Sequence, residues 1–164
     1  MFGRLTKTFG RLAINHKPLP AKKIPRIVLL EDEPALSSLF EDCLHEWFQK
    51  IELLKFANGE EALKELSRTE PDLLILDWVH PGLTGDEILQ QLVVDQPKFP
   101  FLLTSEFFER HLQLFSDHGL KLGFLPKPFG ILEFWAALNQ LVGPSDHPEM
   151  QALLKTEAET RLLA

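Results

Sequence analysis

Short runs of aliphatic residues alternate along the chain with longer segments in which apolar residues recur every three or four positions. The runs lie at 26–30, 51–56, 72–77, 99–105 and 122–126. Four of these runs are nearly all apolar, which is typical of strands in a parallel sheet covered on both faces. The alternation therefore predicts an α/β fold, with a five-stranded doubly wound parallel sheet flanked by five helices.

The segments between the runs have the spacing of amphipathic helices. These predicted helices cover 34–48, 57–70, 86–95, 106–119 and 130–142. Pro34 suits the first turn of the first helix, and Pro71 follows the end of the second. Cys43 lies among the apolar positions of the first helix, which predicts a buried thiol.

Charge is unevenly distributed. Residues 1–26 hold seven Lys/Arg and no Asp or Glu, whereas the rest of the chain holds 10 Lys/Arg against 24 Asp/Glu. We therefore divide the chain into a basic arm (1–24), an acidic body (25–143) and a tail (144–164) that could form one amphipathic helix. The acidic body argues against a broad nucleic-acid surface, and the tail is too short for a DNA-binding output domain.

The basic arm contains FGRL twice, at 2–5 and 9–12. A helix there could touch an anionic membrane or a partner helix, and disorder is the alternative. No apolar stretch is long enough to predict a membrane span, and no secretory signal is visible. The single cysteine excludes an internal disulfide, so a reducing cytoplasm is the expected location.

Polar residues follow the apolar runs at the strand ends: Glu31, Asp32, Asp77, Thr104 and Lys127. Because parallel sheets of this kind place their sites at the carboxyl ends of strands, these side chains are expected to meet at one edge. Converging carboxylates repel one another, so a cation is expected among them. Mg²⁺ prefers such oxygen ligands and often adds water and a phosphate.

This set of residues suits phosphoryl transfer. Asp77 would be the nucleophile and form an acyl phosphate, while the metal and Lys127 would stabilise charge on the moving oxygens. His80 is interpreted as a loop residue and not as a metal ligand. Trp78 is expected to project away from Asp77 at a partly exposed edge.

Four motifs in order, each at a predicted strand end, resemble the receiver domains of bacterial two-component response regulators. They are LLEDEP, LLILDWVHPGLTG, LLTS and FLPKPF. The resemblance covers about residues 25–143 and implies a flavodoxin-like receiver fold. It also implies that the donor would be a phosphohistidine on a sensor histidine kinase or phosphotransfer protein. Our leading interpretation is a stand-alone receiver, which would either bind a downstream protein when phosphorylated or pass the group on in a phosphorelay.

The resemblance assigns the acceptor and the metal ligands. Asp77 would be the phosphoacceptor, and Glu31 and Asp32 would be the acidic pair that holds Mg²⁺. Asp77 itself and the backbone carbonyl of Val79 would complete the protein ligands. Glu31 stands where Asp is commoner, so the metal geometry could differ.

The resemblance also assigns the phosphoryl contacts and the switch. Thr104 and Lys127 would bind the phosphoryl group, and the Lys127–Pro128 bond is expected to be cis. Thr104 and Phe124 would form the switch, although Phe124 lacks the hydroxyl of the Tyr found in many relatives. Any rearrangement of Phe124 must therefore work by packing.

Two other functions remain open from the sequence. A degenerate receiver would keep the fold and act as a constitutive interaction module, with Glu31 as the main reason to consider it. An aspartate-dependent phosphatase of the haloacid-dehalogenase type would use a similar nucleophile. Those enzymes carry a second Asp two residues after the first, where this chain has Val79.

Overall fold

The computed structural model describes residues 24–94, 97–106 and 120–163. Strands and helices alternate as the hydrophobic pattern predicts. In chain order they are β1 (Arg26–Leu30), α1 (Pro34–Trp47), β2 (Glu52–Phe56), α2 (Gly59–Leu66), β3 (Leu73–Asp77), α3 (Gly85–Val94), β4 (Phe101–Ser105), β5 (Leu122–Pro126), α4 (Ile131–Val142) and α5 (Pro148–Leu163).

The five strands form one parallel sheet in the order β2-β1-β3-β4-β5. The chain moves from β1 outward to β2, and then returns past β1 to continue with β3. The strand order therefore reverses between β1 and β3, which is the position where doubly wound folds bind their ligands. All the carboxyl ends face the same edge, and Asp77 stands opposite Thr104 in the register.

The sheet separates two apolar clusters, because successive side chains of a strand point to opposite faces. Ile27, Leu29 and Ile75 pack on the face covered by α1 and α4. Val28 and Leu76 pack on the face covered by α2 and α3. Both faces of β1 and β3 are buried, as their unbroken apolar sequences predict.

The short segment after α4 is attached to the end of α1. Ser145 Oγ donates to the carbonyl oxygen of Trp47 over 2.7 Å, and the Asp146 N–H donates to the same oxygen over 3.1 Å. From there α5 begins, and its Met150 and Leu154 pack against the α1–α4 cluster. The tail is therefore helical in the structure and lies against the body.

Most of the predicted helices are found. The second is shorter than expected, because α2 ends at Leu66 and Ser67 caps it. The helix predicted at 106–119 and the basic arm lie outside the described residues, apart from Glu106 and Ile24. Cys43 is buried, as expected. Within the described ranges, no helix is both long and apolar enough to cross a membrane.

Candidate functional site

Three carboxylates meet at the carboxyl edge of the sheet. Asp77 is the last residue of β3, and Glu31 and Asp32 directly follow β1. Each of the three offers one oxygen, and these oxygens all lie within 4.8 Å of one another. Glu31 and Asp77 are buried, whereas Asp32 is exposed to solvent. The strand-end residues predicted to converge therefore do so.

Lys127 balances part of this negative charge. Its Nζ lies 3.0 Å from Asp77 Oδ2 and 3.2 Å from Glu31 Oε2. The other Glu31 oxygen, Oε1, accepts the backbone N–H of Glu33 over 3.1 Å. The lysine is held at this edge because its own N–H donates to the carbonyl oxygen of Ser105 at the end of β4. The Lys127–Pro128 bond is cis, as the resemblance implies.

The ionisation of two of these groups is shifted. Burial raises the pKa of the Glu31 carboxyl, and the charge of Asp77 adds to this effect against the opposing contacts of Glu33 and Lys127. For Lys127, burial alone would lower the pKa of the ammonium group. The contacts with Asp77 and Glu31 outweigh it, so the pKa of Lys127 is raised and the ammonium stays charged.

The Thr104 hydroxyl is buried without a partner. The side chain is 0% exposed, and its Oγ1 has no hydrogen-bond partner among the residues that the structure describes. The backbone oxygen of Thr104 accepts the N–H of Trp78 over 2.9 Å, which ties β4 to the start of the loop after β3. A buried hydroxyl without a partner costs free energy, and a ligand oxygen at this edge would relieve that cost.

Val79 and Phe124, the other predicted site residues, lie on either side of this edge. The Val79 side chain is 65% exposed in the loop after β3, and its carbonyl remains a predicted ligand. Phe124 lies on β5 beside Leu103 of β4, half-buried against the α2–α3 cluster. The switch assigned to Thr104 and Phe124 stays a prediction.

The expected exposure of Trp78 is wrong. Trp78 does point away from the acidic edge, but it is only 8% exposed and packs in the α2–α3 cluster. Gly85 explains the difference: a Cβ at that residue would lie 2.9 Å from the indole Cε3, so only glycine lets α3 approach this closely. Alternation along the strand predicted the direction of the side chain, but not the helix that covers it.

Sequence reasoning missed the part played by α2. Gly59, the first residue of α2, donates its N–H to the carbonyl oxygen of Pro81 over 3.1 Å. His80 is a loop residue, as expected, yet it is buried beside Gly59. The Asn58–Gly59 pair before an apolar period was the available signal, because it marks a helix start with space for a close contact.

The residues present suit a hard divalent cation. The edge offers carboxylate oxygens and, at its margin, a buried hydroxyl, and it contains no thiol or imidazole among the clustered groups. Oxygen ligands of this kind favour Mg²⁺ or Ca²⁺ over softer metals. The exposed side of Asp32 leaves a path for the ion and its water.

Comparison with known proteins identifies the family of this chain. The family described as response regulator receiver domain matches residues 27–139, more than half of the chain. The transcriptional regulatory protein TrcR of Mycobacterium tuberculosis is 32% identical over 130 residues, which are 77% of this chain and 49% of that protein. The alkaline phosphatase synthesis transcriptional regulatory protein PhoP of Bacillus subtilis is 30% identical over 127 residues, 74% of this chain and 50% of that protein. The chain thus spans about half the length of these curated relatives.

Solved structures share the fold. The receiver domain of sensor histidine kinase PA1611 from Pseudomonas aeruginosa, solved with a magnesium ion in its active-site cleft, has a TM-score of 0.61 at 20% identity and covers 74% of this chain and 99% of its own. The bacteriophytochrome response regulator RtBRR has a TM-score of 0.63 at 22% identity, with 85% and 93% covered. The fold and the family match agree, and the chain belongs to the response regulator receiver domain family.

Proposed function

We propose that this chain accepts a phosphoryl group on Asp77 from a phosphohistidine of a sensor histidine kinase or phosphotransfer protein. An Asp77 oxygen attacks the phosphorus, and the bond between phosphorus and the donor imidazole breaks. The imidazole leaves with the bonding electron pair and takes a proton from water. The product is an acyl phosphate on Asp77.

The arrangement around Lys127 is the observation that carries this proposal. The ammonium bridges Asp77 and Glu31, and the Thr104 hydroxyl lies unpaired on the neighbouring strand, within the described part of the chain. A phosphoryl group on Asp77 would take up Lys127 as a cationic partner and Thr104 as a hydrogen-bond donor. Lys127 already contacts the acceptor carboxylate before the transfer, whereas the contact with Thr104 would form on capture of the phosphoryl group.

Glu31, Asp32, Asp77 and the carbonyl of Val79 would hold Mg²⁺ in this site. The ion would supply positive charge opposite the phosphoryl oxygens. The protein's own contribution is to aim the acceptor carboxylate, whose Oδ2 lies 3.0 Å from the Lys127 ammonium. Glu31 in place of a shorter Asp is compatible with this role, because its carboxylate still reaches within 4.8 Å of the other two.

Phosphorylation would be transmitted to the surface by a change in side-chain packing. Capture of the phosphoryl group by Thr104 would draw the end of β4 inward and let Phe124 rotate toward the space that this frees. The surface formed by the helix predicted at 106–119, β5 and α4 would then bind a downstream protein, or Asp77 would pass the group onward in a phosphorelay. This is a shift between two packings of the same chain, in a soluble cytoplasmic signalling module.

Labelling with a small phosphodonor such as phosphoramidate tests the acceptor. The wild-type chain should take up acid-stable, hydroxylamine-sensitive phosphate in the presence of Mg²⁺, and Asp77→Asn should take up none. Asp42→Asn, which removes an exposed carboxylate from α1, should label like the wild type. Equal labelling of the Asp77→Asn variant would refute the assignment.

The same assay separates the alternatives. A receiver labels once per chain and loses the phosphate slowly, whereas a phosphatase would turn over repeatedly and release inorganic phosphate. A degenerate receiver would show neither labelling nor turnover. Either of those results would replace the proposed function.

A further inference from the structure

The loop after β3 rests on the first turn of α2. One carbonyl oxygen, that of Pro81, lies within hydrogen-bond distance of two groups: the N–H of Gly59 at 3.1 Å and Nδ1 of His80 at 3.0 Å. A carbonyl can only accept, so Nδ1 of His80 carries the proton. Nε2 of His80 is then buried with no partner within the described residues. The imidazole is thus held by a single hydrogen bond and by its packing.

The contact is too close for any side chain at Gly59. A Cβ there would lie 2.5 Å from the backbone oxygen of Leu83 and 2.9 Å from Cε1 of His80. Gly82 approaches the same helix turn from the loop side: its φ is +84°, and a Cβ there would lie 2.0 Å from Oε2 of Glu60. The backbone contact therefore requires glycine at residue 59, and the positive φ favours glycine at residue 82.

This contact directly follows a predicted metal ligand along the loop. The loop runs from Asp77 through Val79 to His80, so holding His80 fixes the carbonyl one residue before it. The other side of the site is tied to the same region, because the N–H of Glu31 donates to the carbonyl oxygen of Phe56, two residues before the α2 cap. Backbone hydrogen bonds thus join the segment from Phe56 to Gly59 to the end of β1 and to the loop after β3.

We infer that Gly59 and His80 are positioning residues for magnesium binding: together they seat the loop so that the Val79 carbonyl faces the carboxylates of Glu31 and Asp77. The inference rests on the proposed magnesium site and adds residues that do not touch the ion. Groups that orient metal ligands typically contribute roughly 10–100-fold to metal affinity.

The test measures the dissociation constant of Mg²⁺ by following backbone amide shifts during titration with MgCl₂, alongside thermal unfolding of each variant. Gly59→Ala and His80→Ala should both weaken binding by about tenfold or more. Leu66→Ala removes a buried side chain at the other end of α2 and should lower the melting temperature without changing the Mg²⁺ constant by more than about twofold. If Gly59 and His80 had only a structural role, the loss of Mg²⁺ affinity would instead follow the loss of melting temperature in all three variants.

His80→Asn and His80→Leu distinguish the effect of the His80–Pro81 hydrogen bond from the effect of side-chain volume. The amide of Asn reaches the position of Nδ1 and can donate to Pro81, so this variant should bind Mg²⁺ within about threefold of wild type. His80→Leu fills similar space but cannot donate, and it should bind as weakly as His80→Ala. If Gly59→Ala does not fold, the His80 variants still test the positioning role.

Three results would overturn different parts of this inference. Wild-type affinity in Gly59→Ala, His80→Ala and His80→Leu would overturn the positioning role and leave the magnesium site intact. A His80→Asn variant as weak as His80→Ala would overturn the part assigned to the hydrogen bond. A wild-type chain that shows no saturable response to MgCl₂ would overturn the proposed magnesium site, and this inference with it.

Discussion

Lys127 Nζ lies 3.2 Å from Glu31 Oε2, a contact that joins the end of β5 to the end of β1 across 96 residues of sequence. The two strands are not neighbours, since β3 and β4 lie between them. The lysine therefore spans the edge of the sheet, and it brings a counter-charge to the acidic site from the residue directly after the last strand.

Replacement of Lys127 by Met should destabilise the metal-free protein. Two buried carboxylates would then face each other without a cation, and we expect a loss of roughly 1–3 kcal/mol in the free energy of unfolding at pH 7. Urea unfolding measures it. Lys55→Met is the matched control, because Lys55 pairs with Glu41 at the surface and such pairs contribute under about 1 kcal/mol. Equal losses in the two variants would show that burial of the Lys127 pair has no energetic consequence.

Glu31 should give the metal-free protein a pH dependence of known sign. Its pKa is raised in the folded state by burial first and by Asp77 second, so the folded chain binds this proton more tightly than the unfolded chain. Stability from this group therefore falls as pH rises from the ordinary value of 4.5 through the folded pKa. Unfolding curves of wild type and Glu31→Gln should diverge across that window, and parallel curves would contradict the prediction.

Thr104→Val should separate stability from signalling. The change replaces a buried hydroxyl that has no partner in the described structure with a methyl group of similar size, so the free energy of unfolding should rise by about 1 kcal/mol. The same change should reduce the amide shifts that beryllofluoride, a phosphoryl analogue, produces at Phe124 and in α4. Thr104→Ser keeps the hydroxyl and should retain those shifts. If beryllofluoride produces the full amide shifts in Thr104→Val, then Thr104 is not part of the switch.

Trp78 should report on the site despite its burial. Its backbone N–H donates to the backbone oxygen of Thr104 over 2.9 Å, and its backbone oxygen accepts the N–H of Gly85 over 3.2 Å. Movement of either neighbour should alter the environment of the indole, so Mg²⁺ should change tryptophan emission saturably. Trp78→Phe should lose most of the response and still accept phosphate. A response that persists would come from Trp135 and would indicate movement of α4.

Two adjacent leucines test the attachment of α5. Leu154 packs against the α1–α4 cluster, whereas the Leu153 side chain is 45% exposed. Leu154→Ala should lower the free energy of unfolding by about 1 kcal/mol, less than a full core truncation because the side chain is only partly buried. Leu153→Ala should change it by less than about 0.5 kcal/mol. Similar losses would show that α5 does not rest on the body through this face.

Local sequence was enough to predict the sheet and the acidic edge. The short unbroken apolar run before Asp77 is typical of a strand buried on both faces, and a parallel sheet brings its end beside Glu31 and Lys127. Contacts between distant surfaces were not available from such patterns. The indole of Trp78 is buried because Gly85 lets α3 close over it, and the seat of the β3–α3 loop depends on the space that Gly59 leaves.

The roles of individual residues within the site were harder to predict from the sequence. Periodicity says that Thr104 ends a buried strand, but not that its hydroxyl lacks a partner, since that depends on every neighbour. The sequence equally left open whether Glu31 could replace a shorter acid, because the answer is a distance across the sheet. The structure places its carboxylate within the same 4.8 Å cluster as Asp32 and Asp77.

The buried thiol of Cys43 makes the molecule convenient for site-directed labelling. It is the single cysteine of the sequence, and burial followed by the charges of Glu46 and Asp42 raises the pKa of the thiol to about 11. At pH 7 only on the order of 1 in 10,000 thiols would be ionised, and maleimides react with the thiolate. A cysteine introduced on the surface of α4 or α5 would therefore carry a spin label or fluorophore selectively, without first removing the native one.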